Sequence, residues 1–260
     1  MTKKYTKTFQ INYPDIDPFQ QLKLSRLFDF CTVVSYEQSD LVGIGPAYLS
    51  QRGINWIINE AECWFERFPR YKETITIDVY ATTYNKFFIY RRFDLFAEDH
   101  QQIGSILMSL SLLRLETRKI YPISEEVGEA FGAEFSKRLY RFKRADNSQL
   151  PENPVHQIRP KYSHLDYNQH VYNIYYYEWM LDSLPMEFLK ENQIKELAMR
   201  FEEEIALDEP VSVVSAITED EPITTVLAIK SAEKEKAIAT IVWQNVNARE
   251  ENKWSMNLQN

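Results

Sequence analysis

A short pattern that occurs twice does most to restrict what this chain can fold into. Tyr13, Ile16, Asp17 and Gln20 recur 149 positions later as Tyr162, Leu165, Asp166 and Gln169, and each copy leads into an apolar segment of helical period. After the first copy, Leu24, Leu27, Phe28, Cys31 and Val34 sit at helical offsets and predict a buried helix over 24–41, stopped by Gly43, Gly45 and Pro46. After the second, Tyr172, Tyr175, Tyr176, Trp179 and Met180 form one stripe, with Val171, Ile174 and Leu181 on another side. A helix apolar nearly all round belongs in an interior. Strand-like runs accompany both helices. They fall at 5–13, 56–68, 74–81, 87–96 and 103–115 in the first half, and at 211–217, 224–230 and 237–243 in the second. The last three are separated by turn clusters at 219–222 and 231–234. The chain therefore reads as α+β, a duplicated unit in which antiparallel strands accompany one buried helix. The expected divisions are 1–120, a charged connector at 121–154 ending in Pro151 and Pro154, and 155–260.

The copies differ in chemistry. Asp166, Asn168 and His170 alternate along an approach read as extended, directly in front of the second apolar helix, whereas the first copy has Phe19 and Gln21 where the second has Asn168 and His170. Polar groups carried into an interior cost free energy unless they are paired, and catalysis is one reason to keep them there. Taken singly these residues have plainer uses: Asp166 or Asn168 as a helix cap, His170 as a structural histidine. The combination in one copy only predicts one active half and one structural half.

Composition narrows the rest. With 44% hydrophobic and 14% aromatic residues, 260 residues bury a large core. A net charge of -8 argues against nucleic acid as partner. No run approaches the ~20 apolar residues of a membrane helix, and no apolar run follows Met1 to Lys7, so a soluble, cytoplasmic protein is expected. Cys31 and Cys63 lie in apolar segments without metal-like spacing and read as reduced core thiols. No His, Asp and Glu set has metal spacing, so neither metal nor cofactor is expected. An acidic partner needs a local basic patch, for which Lys137, Arg138, Arg141, Lys143 and Arg144 are the candidate.

The run Asp166-Tyr167-Asn168-Gln169-His170-Val171-Tyr172-Asn173, with Trp179 downstream, resembles the signature of the acyl-acyl carrier protein thioesterases of plant and bacterial type. Glu66-Arg67-Phe68-Pro69-Arg70-Tyr71 resembles a strand-turn motif of that family, and Asn85-Lys86 followed by Arg91-Arg92 its next hairpin. The resemblance covers roughly 5–246. It implies two fused hot-dog domains, each an antiparallel sheet around a long helix, and hydrolysis of the thioester between a fatty acyl chain and carrier protein. It also implies a role for Glu204: plant members have a glutamate-cysteine pair where this chain has Glu204-Ile205, so a thiol nucleophile is in doubt and carboxylate-assisted attack by water remains.

The expected roles are water activation by Glu204, positioning by His170 and Asn168, orientation of one of these by Asp166, and oxyanion donation from backbone N–H groups starting the helix after His170. Strict alternation along Leu197, Met199, Phe201 and Glu203 favours Glu203 as the inward carboxylate, and a bulge at the triple glutamate is needed to restore Glu204. Acidic carrier protein is the expected partner of the 137–144 basic cluster. A fused double domain fits a monomer or a homodimer. Rival classes are an acyl-coenzyme A thioesterase, a hot-dog hydratase or dehydratase, and a non-catalytic acyl-binding module.

Overall fold

The structure, a computed structural model, describes residues 3–218, 221–232 and 234–246. Glu219, Asp220 and Glu233, which belong to two of the expected turns, and residues 247–260 of the expected last domain lie outside the described residues. The chain divides into two compact units, Met1–Lys143 with Ala198–Phe201, and Arg144–Leu197 with Glu202–Asn260.

In the first unit β1 (Tyr5–Gln10), α1 (Leu24–Leu41) and α2 (Pro46–Arg52) precede four long strands, β2 (Ile54–Phe65), β3 (Thr74–Tyr84), β4 (Ile89–Phe96) and β5 (Gln102–Arg114). The strands lie in the order β1-β3-β4-β5-β2, every neighbour antiparallel. Helix α1 packs on β1 and β3, and its predicted face is inside: Leu27 and Val34 are fully buried and Phe28 and Cys31 nearly so. The segment after β5 stays with this unit. It forms β6 (Ile120–Tyr121) beside β5, α3 (Glu125–Ala130) and β7 (Glu134–Phe135) beside β3. Ser124 caps α3 by accepting a hydrogen bond from the Val127 amide.

The second unit holds β8 (His156–Ile158), α4 (Ile174–Asp182), α5 (Met186–Glu191), the part of β9 (Asn192–Phe201) up to Leu197, β10 (Val211–Ile217), β11 (Thr224–Ser231) and β12 (Lys234–Asn245). Strands β12, β11, β10 and β8 are successive antiparallel neighbours, with β9 beside β12. Helix α4 packs on β10 and β11 and buries Ile174, Tyr176, Tyr177, Trp179 and Met180. It has nine residues where α1 has eighteen. Pro185 is the reason: the residue before a proline is driven out of the helical region, and the chain breaks at Ser183-Leu184 before α5 begins.

The repeat extends to individual backbone hydrogen bonds. Asp17 N–H donates to Gln21 O at 2.8 Å and Asp166 N–H to His170 O at 2.8 Å. Gln20 and Gln169 both take a left-handed conformation, φ 63° and 66°. Leu22 N–H donates to Pro69 O and Val171 N–H to Ile205 O, while the bridges Gln21–Arg70 and His170–Ala206 stand beside them. Glu66 N–H meets Ile103 O as Glu202 N–H meets Lys236 O. Phe68 is thereby the counterpart of Glu204, Arg67 of Glu203, and Ile103 of Lys236.

Candidate active site

Asp166, Asn168 and His170 come together through a tight turn, not the extended approach their spacing suggests. The Asp166 carboxylate is its hub. One oxygen accepts from the backbone N–H of Asn168 at 2.8 Å and of His170 at 3.3 Å, and the other accepts from the Asn168 side-chain amide at 3.1 Å. Asp17 holds the first copy's turn in the same way, accepting from Phe19 N–H and Gln21 N–H, both at 2.9 Å, but Phe19 has no amide for its second oxygen. These bonds exclude the capping reading, since α4 is capped at Asn173 without any side-chain hydrogen bond.

Glu204 reaches this turn from the loop after β9. Its Oε2 lies 3.4 Å from His170 Nε2, and the two side chains are 38% and 31% exposed, open enough for water and still partly desolvated. Alternation misleads at this point because β9 ends at Phe201, so no strand period governs 202–204. Glu203 is occupied elsewhere. It forms ion pairs with Lys234 at 3.1 Å and Lys236 at 3.2 Å, which hold its carboxyl below the usual glutamate range.

Lys236 had no local signal in the sequence, where it ends a run of charges ahead of the strand expected at 237–243, yet it is 6% exposed. Its ammonium contacts Glu209 at 2.8 Å and Glu203 at 3.2 Å, and donates to the backbone oxygen of Glu204 at 3.2 Å. Burial alone would draw its pKa down, but Glu209 and Glu203 outweigh that and raise it. The other copy buries Ile103 at its place, a correspondence that the backbone hydrogen bonds reveal and the sequence offset does not. The backbone donors expected after His170 are used within the fold: Val171 N–H bonds Ile205 O and Tyr172 N–H bonds His164 O, both at 2.9 Å. Helix α4 itself begins only at Ile174.

The remaining expected residues are placed as follows. Cys31 and Cys63 are free and buried in the first unit, and burial pushes both thiols up, away from the thiolate form a nucleophile needs. His164 packs on Tyr175 and Trp179 and accepts from Lys161 N–H at 3.1 Å. Lys137, Arg138, Arg141, Lys143 and Arg144 are all exposed. Lys137 to Lys143 are strapped to the first unit by Tyr140, whose hydroxyl donates to Glu62 at 2.8 Å, and by buried Phe142, stacked 6.3 Å from Tyr90. Among the described residues no group of His, Cys, Asp and Glu is placed to hold a metal ion, and no helix is long and apolar enough to cross a membrane.

Comparison with known proteins places this chain in a family. A Lactobacillus plantarum protein provisionally described as an oleoyl thioesterase superposes with a TM-score of 0.89 at 26% identity, covering 94% of this chain and 97% of its own. The Bacteroides thetaiotaomicron acyl-ACP thioesterase gives 0.80 at 19% identity over 93% and 98%, and so shares the fold, a double hot-dog. The dodecanoyl-[acyl-carrier-protein] hydrolase of Cinnamomum camphora is 25% identical over 82% of this chain and 59% of its own length. The chain thus spans between 40% and 59% of the length of curated relatives it matches. Residues 2–131 match the family model of the acyl-ACP thioesterase N-terminal domain and residues 147–245 that of the C-terminal domain. The chain belongs to the acyl-ACP thioesterase family.

Proposed function

We propose that this protein hydrolyses the thioester joining a fatty acyl group to acyl carrier protein, with Asp166, Asn168, His170 and Glu204 as its working residues. The observation that carries the assignment is the 3.4 Å approach of His170 Nε2 to Glu204 Oε2, in the copy that also holds the Asp166–Asn168 pair. That gap is too short for a water in series between the two atoms, which needs more than about 5 Å. The attacking water therefore lies to one side and touches both groups.

Glu204 takes a proton from the water as its oxygen bonds to the thioester carbonyl carbon. The carbonyl oxygen gains charge and meets the Asn168 amide, whose orientation Asp166 fixes. Collapse then breaks the carbon–sulfur bond, and the sulfur leaves as thiolate and recovers the proton from Glu204. A thiol of pKa ~8.5 leaves far more readily than hydroxide, whose parent water has a pKa of ~15.7, so the attack needs a general base and the departure hardly needs a general acid. His170 holds the Glu204 carboxylate and the water in register.

The proposed docking surface for the acidic carrier protein is the exposed basic strap, Lys137, Arg138, Arg141 and Lys143, continued by Arg144. In this segment the charged residues are exposed while Phe142 is buried. The test is to supply mixed acyl carrier proteins and the matching acyl-coenzyme A esters, and to follow free thiol and free acid. Equimolar thiol and acid, with higher kcat/KM on carrier protein, is expected. Acyl binding without thiol release would refute the hydrolase reading, and preference for coenzyme A would refute the carrier.

A further inference from the structure

The loop that carries Glu204 exists in both copies, and in both a cation lies between the same two groups. In the first copy Arg67 pairs with Glu73 at 2.7 Å and donates to the backbone oxygen of Phe68 at 3.4 Å. In the second, residue 67's counterpart is Glu203, and the cation comes instead from β12, as Lys236 on Glu209 and the backbone oxygen of Glu204. Glu209 in turn accepts from Ala206 N–H at 2.9 Å, and Ala206 is bridged to His170. Lysine is almost never this buried unless paired, and the first copy folds the same loop with Ile103 at that position. What differs is the residue whose carbonyl the cation holds, a phenylalanine in one copy and the acid in the other.

We propose that Lys236 is a positioning residue for hydrolysis: by fixing the carbonyl of Glu204 and the Glu203–Glu209 loop, it sets the reach of the Glu204 carboxylate to His170. This rests on the reading of Glu204 as base. The anchor acts on the backbone of the reacting residue, one peptide unit from the side chain, so its loss moves the carboxylate. Misplacement by about 1 Å can cost about a hundredfold in rate.

The test compares Lys236→Met with Arg67→Met, which removes the matching cation from the copy lacking the acid. Both variants are expected to melt at lower temperature. Lys236→Met is expected to lower kcat roughly ten- to hundredfold with KM within twofold, and Arg67→Met to leave kcat within twofold. In a Glu204→Gln background Lys236→Met is expected to cost no further rate while still lowering the melting temperature, because its catalytic effect passes through Glu204. A full kcat in Lys236→Met, or the same loss with and without Glu204, would overturn the proposal while leaving Glu204 as base. Full activity of Glu204→Gln alone would instead sink the reading beneath it. Should Lys236→Met not fold, Glu209→Gln, which keeps a neutral acceptor for the ammonium, is read by the same split and the same background.

Discussion

Replacing Asp166 by asparagine separates the turn's structural work from its chemical work, because Asp17 does the first without the second. The amide oxygen introduced at position 166 can still accept from the backbone N–H groups of residues 168 and 170, the bonds at 2.8 and 3.3 Å. The other atom becomes an NH2 facing the Asn168 NH2 across what was a 3.1 Å bond, and two donors cannot pair. Asn168 must turn away. In Asp17→Asn no such conflict arises, because Phe19 stands where Asn168 does. Both variants lose the charge on one shared acceptor, and Asp166→Asn also loses the Asn168 bond, so its stability loss should exceed that of Asp17→Asn by at most about 3 kcal/mol, each kcal/mol being some 2–4 °C in Tm for a chain of this size. Only Asp166→Asn should slow hydrolysis. A hydrogen bond to a charged group contributes about 1.5–3 kcal/mol, and at 1.36 kcal/mol per decade its loss from the transition state predicts a ten- to hundredfold lower kcat on acyl carrier protein. Thermal melts and initial rates on the two purified variants decide it. Equal slowing by Asp17→Asn, or a kcat within twofold for Asp166→Asn, would refute the division of labour between the copies.

Further outcomes follow from the same contacts. Glu203→Gln should keep kcat within about twofold, since that carboxylate is held by Lys234 and Lys236 and not by His170; a hundredfold loss would move the base to Glu203. For Glu209, burial raises the pKa, but the Ala206 amide and Lys236 lower it further, to a net value below the ordinary 4.5. A carboxyl with a depressed folded pKa adds stability above its unfolded value and loses it as pH falls through the folded one. Glu209→Gln should therefore flatten the decline of Tm below pH 4.5, and an unchanged acid limb would contradict this pairing. Arg141→Glu with Arg144→Glu should raise KM for acyl carrier protein several-fold and leave small thioesters unaffected, whereas equal effects on both would place docking elsewhere.

The sequence was most legible where one local period governs a whole element. Helix α1 runs over the predicted 24–41, and β10 over the predicted 211–217, because apolar spacing alone decides which face of each is buried. The repeat was readable from four residues, since a left-handed glutamine and a carboxylate accepting two amides leave few choices at 17–20 and 166–169. Legibility failed where periodicity stops. Asp166, Asn168 and His170 alternate in the sequence but meet through a turn, and Glu204 lies past the end of β9, where counting by twos no longer assigns a face. The short α4 follows from Pro185, whose effect on Leu184 outweighs an apolar pattern that otherwise reads as continuous. Lys236 was hidden for another reason: its partners come from positions 203, 204 and 209, and only register, which a single strand does not reveal, brings them to it.

In the proposed mechanism the carboxylate of Glu204 is the group that makes water attack the thioester. Its pair with His170 is partly exposed and contributes no more than about 1 kcal/mol to stability, so Glu204→Gln should fold normally. The direct measurement is single-turnover release of thiol from one acyl carrier protein by the native chain and by Glu204→Gln at saturating enzyme. A loss of about 10²–10⁴ in the rate constant is expected, with Tm nearly unchanged. A folded Glu204→Gln protein that releases thiol within tenfold of the native rate would contradict the mechanism.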